Sequence, residues 1–324
     1  MLDLNPILDA ARQAAALTRR VQNAGFDRVN KDQDGDPVTV ADYGAQAILC
    51  RALARAYPDH GVLAEEGGDQ FATLLNETQR AFVARLVGEI IGETVGIDQV
   101  SAWLDHGRAA ALNGGSETTW IIDPIDGTKG FVAGRQYAIA IAALADGDPI
   151  ASVIACPGYG DGLLFSAQGS IAHVQNIDGR RKAARIAVSD VRAFGAARIV
   201  GSLERHKGDH PGIDGVYDAL GIRRANVQPV DSQAKYAMVA CGDADIFMRL
   251  MAAGGHKHYV WDHAPGVALV RAAGGVATDM DGSPLRFAPR DGSSATMMPN
   301  RGMVVTNGHV HDKLLAAIQP LLTD

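Results

Sequence analysis

Asp123 and Asp126 stand three residues apart in Trp120-Ile-Ile-Asp-Pro-Ile-Asp-Gly-Thr-Lys-Gly-Phe131. The apolar run Trp120-Ile121-Ile122 leads into them and Gly127-Thr128 follow at once. The pattern predicts a buried strand that stops at a turn holding two hard oxygen ligands. Magnesium takes oxygen ligands, usually a few carboxylates, and keeps water and substrate phosphate in its other positions. Gly127 and Thr128 also suit a helix start, whose free N–H groups donate to a phosphate oxygen. Asp-Pro and Asp-Gly are equally common in turns that hold no metal. On this segment alone, a metal-and-phosphate turn and an ordinary turn fit equally well.

Other acids fall at the ends of expected elements. Asp42 follows Val38-Thr39-Val40, Glu65 ends a strand, and Asp262 in Trp261-Asp262-His263 stands at the start of a long helix. Taken singly, Asp42 and Asp262 read as helix caps and Glu65 as a solvated strand end. Taken together with Asp123 and Asp126, they read as carboxylates converging on one cleft. Such a cluster repels itself unless cations sit within it. Two-metal hydrolases solve this with divalent ions roughly 3.5–4 Å apart, which activate water and stabilise the leaving oxygen.

Positive charge is the second requirement. Ser232 and Lys235 lie in Asp231-Ser-Gln-Ala-Lys-Tyr236 and Arg249 in Phe247-Met-Arg-Leu250. Three residues apart, Ser232 and Lys235 share one helical face near a helix N-terminus, which suits a second phosphate. A surface lysine on an amphipathic helix is the simpler reading without the acids. Asp32-Gln-Asp-Gly-Asp36 hints at a calcium loop, but the EF-hand places for Gly and Glu hold Pro37 and Tyr43. His256, His258 and His263 have no cysteine nearby and a glycine-rich setting, which argues against zinc. No Gly-x-Ser-x-Gly elbow supports a serine hydrolase.

The elements that must position these groups follow from periodicity. Leu4–Val21 reads as a helix, ended by Gly25. After a polar loop at 31–36, Pro37–Asp42 leads into a helix through Ala56. Val62–Ala64 is a short strand and Phe71–Ile91 one helix. Tyr137–Ala145, Ile150–Ala155 and Gly162–Phe165 are short apolar runs broken by Gly, Asp or Pro, as in an antiparallel sheet. The polar, basic stretch Asn176–Lys182 marks a boundary between an α+β domain, 1–178, and an α/β domain, 179–324. In the second, strands (Ala197–Gly201, Asn226–Val230, Asp245–Arg249, Met303–Thr306) alternate with helices near 212–220, 232–241, 262–273 and 308–321.

The chain has 324 residues, 47% hydrophobic and 21% charged, enough for a sizeable globular core. A formal net charge of -7 argues against a nucleic-acid polymer as partner. It suits a small anionic substrate only where cations offset the repulsion. Met1–Ala16 lacks the basic flank of a signal peptide, and no apolar run is long enough to span a bilayer. Cys50, Cys156 and Cys241 are scattered and odd in number, which points to buried thiols in a reducing cytoplasm.

Pro37-Val-Thr-Val-Ala-Asp42, Ala64-Glu65-Glu66, Asp123-Pro-Ile-Asp-Gly-Thr128 and Trp261-Asp262-His263 followed by Gly274-Gly275 resemble the inositol monophosphatase superfamily of lithium-sensitive, magnesium-dependent phosphatases. Within it, Ala41-Asp-Tyr-Gly-Ala-Gln46, Lys129-Gly130-Phe131 and Asp231–Tyr236 are similar to the 3'(2'),5'-bisphosphate nucleotidases. The resemblance spans about residues 5–310. It implies a layered α-β-α-β-α sugar-phosphatase fold. It implies that Glu65, Asp123, Asp126, Asp262 and the Ile125 carbonyl bind two or three magnesium ions. Thr128, with Glu65 or Asp42, would orient the attacking water, and the Gly127 and Thr128 amides would hold the scissile phosphate. Asp42 would also help position a further metal or the water. Ser202, Ser232, Lys235, Arg249 and Asp262 would bind substrate, with Ser232, Lys235 and Arg249 on the distal 5'-phosphate. The nucleotidases carry a Ser-x-Glu-x-x-His stretch. Here Ser202-Leu-Glu-Arg-His206-Lys207 brings His206 one place early, so His206 or Lys207 would lie at the base.

The resemblance implies hydrolysis of adenosine 3',5'-bisphosphate, with a small phosphorylated nucleotide as the only partner and a monomer or homodimer as the assembly. Phosphatases of inositol phosphates or fructose bisphosphate share the chemistry and are the nearest alternative. A non-catalytic phosphonucleotide sensor is disfavoured, because every acid needed for metal binding is present.

Overall fold

Ala10, Ala11, Ala14, Leu17 and Val21 recur at helical spacing and are all buried, so the first helix presents a close-packing face of small residues. A computed structural model describes residues 1–24, 29–30, 37–113, 117–203, 211–252, 258–287, 296 and 298–323. In chain order it begins with α1 (Asn5–Ala24), the antiparallel pair β1 (Val29–Asn30) and β2 (Pro37–Val38), and α2 (Val40–Ala56). Next come β3 (Gly61–Ala64), α3 (Gly68–Leu74), α4 (Glu77–Ile91), α5 (Ile97–Asn113), β4 (Thr118–Asp126) and α6 (Thr128–Val132). Five strands follow: β5 (Ala138–Ala145), β6 (Asp148–Cys156), β7 (Leu163–Gln168), β8 (Ile171–Asn176) and β9 (Ala184–Ile186). The remainder comprises β10 (Ile199–Gly201), α7 (Ile213–Ala219), β11 (Val227–Pro229), α8 (Ala234–Ala240), β12 (Ile246–Leu250), α9 (Ala264–Ala272), β13 (Val276–Thr278), β14 (Gly302–Thr306) and α10 (His311–Ile318).

Strands β3 to β9 form a seven-stranded sheet in sequential order, and β11-β10-β12-β14-β13 form a five-stranded mixed sheet. The first sheet is antiparallel as expected, except that β3 and β4 run parallel, joined through α3, α4 and α5. That crossover needs helices, and α5 was not apparent from the sequence. β9 still pairs with β8, so the first sheet reaches eight residues past the expected seam at 178/179.

Three apolar clusters define the layers. Trp120, Ile122, Ile139 and Ile141 pack against α1, α2, α4 and α5 on one face of the larger sheet. Its other face, with Ile121, Ala140 and Ile154, meets α8 and α9, which also contact Val200, Phe247 and Val305 of the smaller sheet. Ile246, Met248 and Val304 then meet α7 and α10 outside. The result is the expected α-β-α-β-α sandwich. Alternate residues of β4 thus enter different cores, which is why Trp120–Ile125 are buried without a break.

The expected single helix over Phe71–Ile91 is two. Asn76 accepts from the Gln79 N–H and the Gln79 side chain accepts from the Asn76 N–H, a capping box that restarts the chain as α4. β4 does not stop at Asp123; it continues to Asp126 through a register shift between those two residues. Pro124 has no N–H to give a ladder, so irregular pairing is expected there.

Gly266 of α9 lies against the Tyr236 ring of α8, and an added Cβ would overlap the ring carbons. Gly266→Ala should destabilise the protein by about 1–3 kcal/mol, read as a lower urea midpoint at unchanged m-value.

Candidate active site

Glu65 follows directly on β3, where the parallel pairing with β4 brings its N–H to donate to the Ile122 carbonyl at 3.2 Å. The turn beyond is held by α2. Gln46 is fully buried; its Nε2 donates to the Glu66 carbonyl at 2.6 Å and its Oε1 accepts from the Glu66 N–H at 2.8 Å. Gly107 of α5 makes room beneath, since a Cβ there would stand 2.9 Å from the Ala64 Cβ and 3.4 Å from Gln46 Nε2. Both ends of the Glu66 peptide are therefore fixed, and Glu65 is fixed with them.

The irregular end of β4 carries Asp123, buried, then Ile125, Asp126 and the turn at Gly127. Thr128 Oγ1 donates to the Ile125 carbonyl at 3.0 Å. Gly127 adopts φ 87°, a left-handed value that favours glycine, and a Cβ there would stand 3.1 Å from the Ser232 Cβ. This contact joins the β4 turn to the segment before α8. Ser232 itself has φ 66° and precedes the helix, so it does not share a helical face with Lys235 as expected. Its chain reverses there to pass Gly127.

Lys235 is no surface lysine. It is 8% exposed, its Nζ donates to the Val230 carbonyl at 3.1 Å, and the ammonium lies 5.5 Å from the Phe247 ring centroid. Burial pushes its pKa down to about 8, with Arg249 adding to the fall and Asp126, Asp231 and Asp262 opposing it. α8 is buried along its whole length because it lies between the two sheets, which removes the polar face an amphipathic helix would need.

Asp262 sits in a turn before α9, which spans nine residues from Ala264. Below it runs a buried hydrogen-bonded chain, Tyr236 Oη to His263 Nδ1 at 2.7 Å and His263 Nε2 to His258 Nδ1 at 2.9 Å. This employs two of the three histidines considered for zinc as packing partners; His256 lies outside the described residues. Burial pushes the Asp262 carboxyl well above the usual carboxylate range, and Asp126 and Glu65 add to the rise while Arg249 opposes it. Asp126 moves the same way, raised by burial and by Glu65, lowered by Lys235 and by hydrogen bonds from Gln233. Glu65, Asp126, Asp262, Lys235 and Arg249 thus act on one another across a single site.

The inositol monophosphatase family model matches residues 3–323. The chain belongs to the inositol monophosphatase family. A 3'(2'),5'-bisphosphate nucleotidase of Emericella nidulans is 31% identical, over 97% of this chain and 96% of its own. A probable 3'(2'),5'-bisphosphate nucleotidase 4 of Arabidopsis thaliana is 33% identical, over 96% and 92%. The crystal structure of the suhB extragenic suppressor protein of Bartonella henselae has the same fold, with TM-score 0.65 and 24% identity over 98% of each chain.

Asp42 and Ser202, also expected from the family resemblance, are described by their local bonds. Asp42 is buried at the third position of α2, where its Oδ2 accepts from the Thr39 N–H at 2.8 Å and the Thr39 hydroxyl at 2.7 Å. The capping reading of Asp42 thus describes its local bonds. Ser202 follows β10, beside the Gly201 carbonyl that accepts from the Val230 N–H at 2.9 Å. His206 and Lys207 lie outside the described residues. Sequence reasoning missed Gln46 and Gln233, whose side chains hold the acidic turns. A buried glutamine one helical turn after Asp42, and another between Ser232 and Lys235, were the available signals.

The raised carboxyls have a consequence for the metal-free protein. A carboxyl whose native pKa exceeds its unfolded value stabilises the fold below the ordinary range, about 4, and loses that contribution as pH rises toward the native value. In chelator, Asp262→Asn should gain stability relative to the parent as pH is raised from 5 to 8. Thermal melts of the two proteins at each pH check this; a constant difference would contradict the charge crowding.

Proposed function

We propose that this chain is a 3'(2'),5'-bisphosphate nucleotidase, a magnesium-dependent phosphomonoesterase that cleaves the 3'-phosphate of adenosine 3',5'-bisphosphate to give AMP and phosphate, and also accepts its sulfated relative. The observation that carries the reading is the shared charge field of Glu65, Asp126 and Asp262 beside the cations Lys235 and Arg249. Curated relatives named for this activity support the substrate class.

The donor set fits a hard divalent cation. It consists of oxygens, and its half-buried carboxyls resist sharing negative charge, a penalty that a cation among them would remove. Among the described residues no three acidic, histidine or cysteine side chains form a finished cage. Glu65, Asp123, Asp126, Asp262 and the Ile125 carbonyl would hold two or three ions, and dependence on a metal is general in this family. Once bound, magnesium supplies positive charge for the phosphoryl oxygens and lowers the pKa of the attacking water. Lithium inhibition goes with the same reading.

The protein's own groups supply the geometry. The Thr128 hydroxyl donates a hydrogen bond to the Ile125 carbonyl, which leaves its oxygen to accept one from the attacking water. Glu65 or Asp42 then takes the water's other hydrogen bond. The Gly127 and Thr128 amides hold the scissile phosphate. Lys235 and Arg249, with Ser232 and Ser202, hold the distal phosphate, and Lys235 is charged at pH values below about 8. His206 or Lys207 meets the base. Positioning and electrostatics carry most of such a phosphoryl transfer.

Asp123→Asn should lower phosphate release from the bisphosphate by more than about 100-fold, comparable to losing a principal charge-stabilising group. Parent-like turnover in that variant at modest magnesium would reject the metal role. Lys235→Ala should weaken the bisphosphate more than 3'-AMP or inositol 1-phosphate, neither of which carries the distal phosphate, read from KM and inhibition constants. Equal weakening would put the second phosphate elsewhere, and faster turnover of inositol 1-phosphate by the parent would favour the sugar-phosphate alternative.

A further inference from the structure

We propose that Gln233 is the positioning residue that sets the separation of the Asp126 and Asp262 carboxylates, and through it the affinity of the site for a divalent cation. The inference rests on the metal reading above. Gln233 is 1% exposed and stands at the start of α8. Its backbone N–H donates to Asp126 Oδ2 at 2.5 Å. Its side-chain Nε2 donates to the Trp261 carbonyl at 2.9 Å, and its Oε1 accepts from the Gly266 N–H at 2.9 Å. Its own carbonyl accepts from the Tyr236 N–H at 3.0 Å and the Ala237 N–H at 3.3 Å. All four polar groups are engaged, and they tie the end of β4, the start of α8 and both flanks of the Asp262 turn to one point.

Glutamine suits this point for a chemical reason. The side chain must give one hydrogen bond and accept another, and it must carry no charge. A glutamate would turn an acceptor toward the Trp261 carbonyl and add a further anion to carboxyls that already raise one another. A lysine would have nothing to accept from Gly266. Like charges drift apart when nothing ties their backbones together. A cation binding to the loosened pair must then bear the cost of bringing them back. Groups of this kind, which hold ligands without touching the metal, affect metal affinity by about 10–100-fold.

The test is a Mn2+ titration of the full chain without substrate, read by the paramagnetic resonance of the free ion. Gln233→Met keeps the volume and removes both side-chain hydrogen bonds. It should bind Mn2+ about 10–100-fold more weakly. Its turnover should recover as magnesium is raised, with KM for the bisphosphate little changed at saturating metal. Parent-like Mn2+ binding by Gln233→Met, or lost turnover that no magnesium concentration restores, would overturn the positioning role alone. A parent that binds no Mn2+ would overturn the metal reading and this inference with it. If Gln233→Met lacks the parent's circular dichroism, Gln233→Asn decides by the same titration. Its amide is intact but one methylene short of Trp261 and Gly266, and the same weakening is expected.

Discussion

Half-buried carboxylates that raise one another's pKa are the constraint around which this molecule is arranged. Water would normally solvate Asp126 and Asp262, and burial withholds that solvation. Glu65 adds a further negative field, and the protein answers with Lys235 and Arg249. That answer is incomplete, since both acids remain shifted upward. Lys235 is itself lowered by burial and by Arg249, so the cations are as crowded as the anions. On the function proposed above, the acidic side of such a site would take a divalent cation and the basic side a phosphate.

Holding such groups together takes backbone that departs from regular structure at the right places. β4 loses register between Asp123 and Asp126, Gly127 takes a left-handed conformation, and Ser232 opposite takes one without being glycine. Strained backbone of this kind persists only where its surroundings over-determine it. Here the surroundings are concrete. Gly127 packs on Ser232, Arg135 Nε donates to Asp231 Oδ2 at 2.9 Å, and the Gln233 N–H is held by Asp126. The Asp231–Gln233 segment is thereby fastened residue by residue to the end of β4, the turn at Gly127 and the loop after α6.

The acidic motifs were legible because they are local patterns, and the layered fold followed from the family resemblance those motifs carry. Short apolar runs broken by Gly, Asp or Pro announced β5 to β7, and Asp123-Pro-Ile-Asp-Gly-Thr128 announced the turn. Pairing partners and close approaches were not legible. α5 was missed although Ile97, Val100 and Leu104 recur at helical spacing, because only the parallel β3–β4 pairing shows that a crossover must run there. The reading of Ser232 and Lys235 as one helical face failed because helical spacing says nothing about where a helix begins. The surface reading of Lys235 failed because α8 lies between two sheets, a placement decided by tertiary packing alone. The roles of Gln46 and Gln233, though both stand in the motifs, escaped notice for a related reason. A glutamine's role depends on whether its amide meets two backbone groups, and that is set by chain segments far away.

The middle layer explains why these long-range contacts fall on so few residues. α8 and α9 fill the space between the sheets, so their side chains must be small or must pack on both sides. Ala234, Ala237, Ala240, Ala264, Ala268 and Ala272 are all buried there, and Gly266 yields its face to Tyr236. Close helix approach leaves no space for water, so every polar group brought in must find a protein partner. Tyr236, His263 and His258 satisfy this as a chain, and Gln233 does so as a four-way junction. The first arrangement anchors the Asp262 turn from beneath and the second from the side. A layer forced into tight packing by the sandwich architecture is therefore also the layer that indexes acids from the end of the larger sheet against the acid that precedes α9.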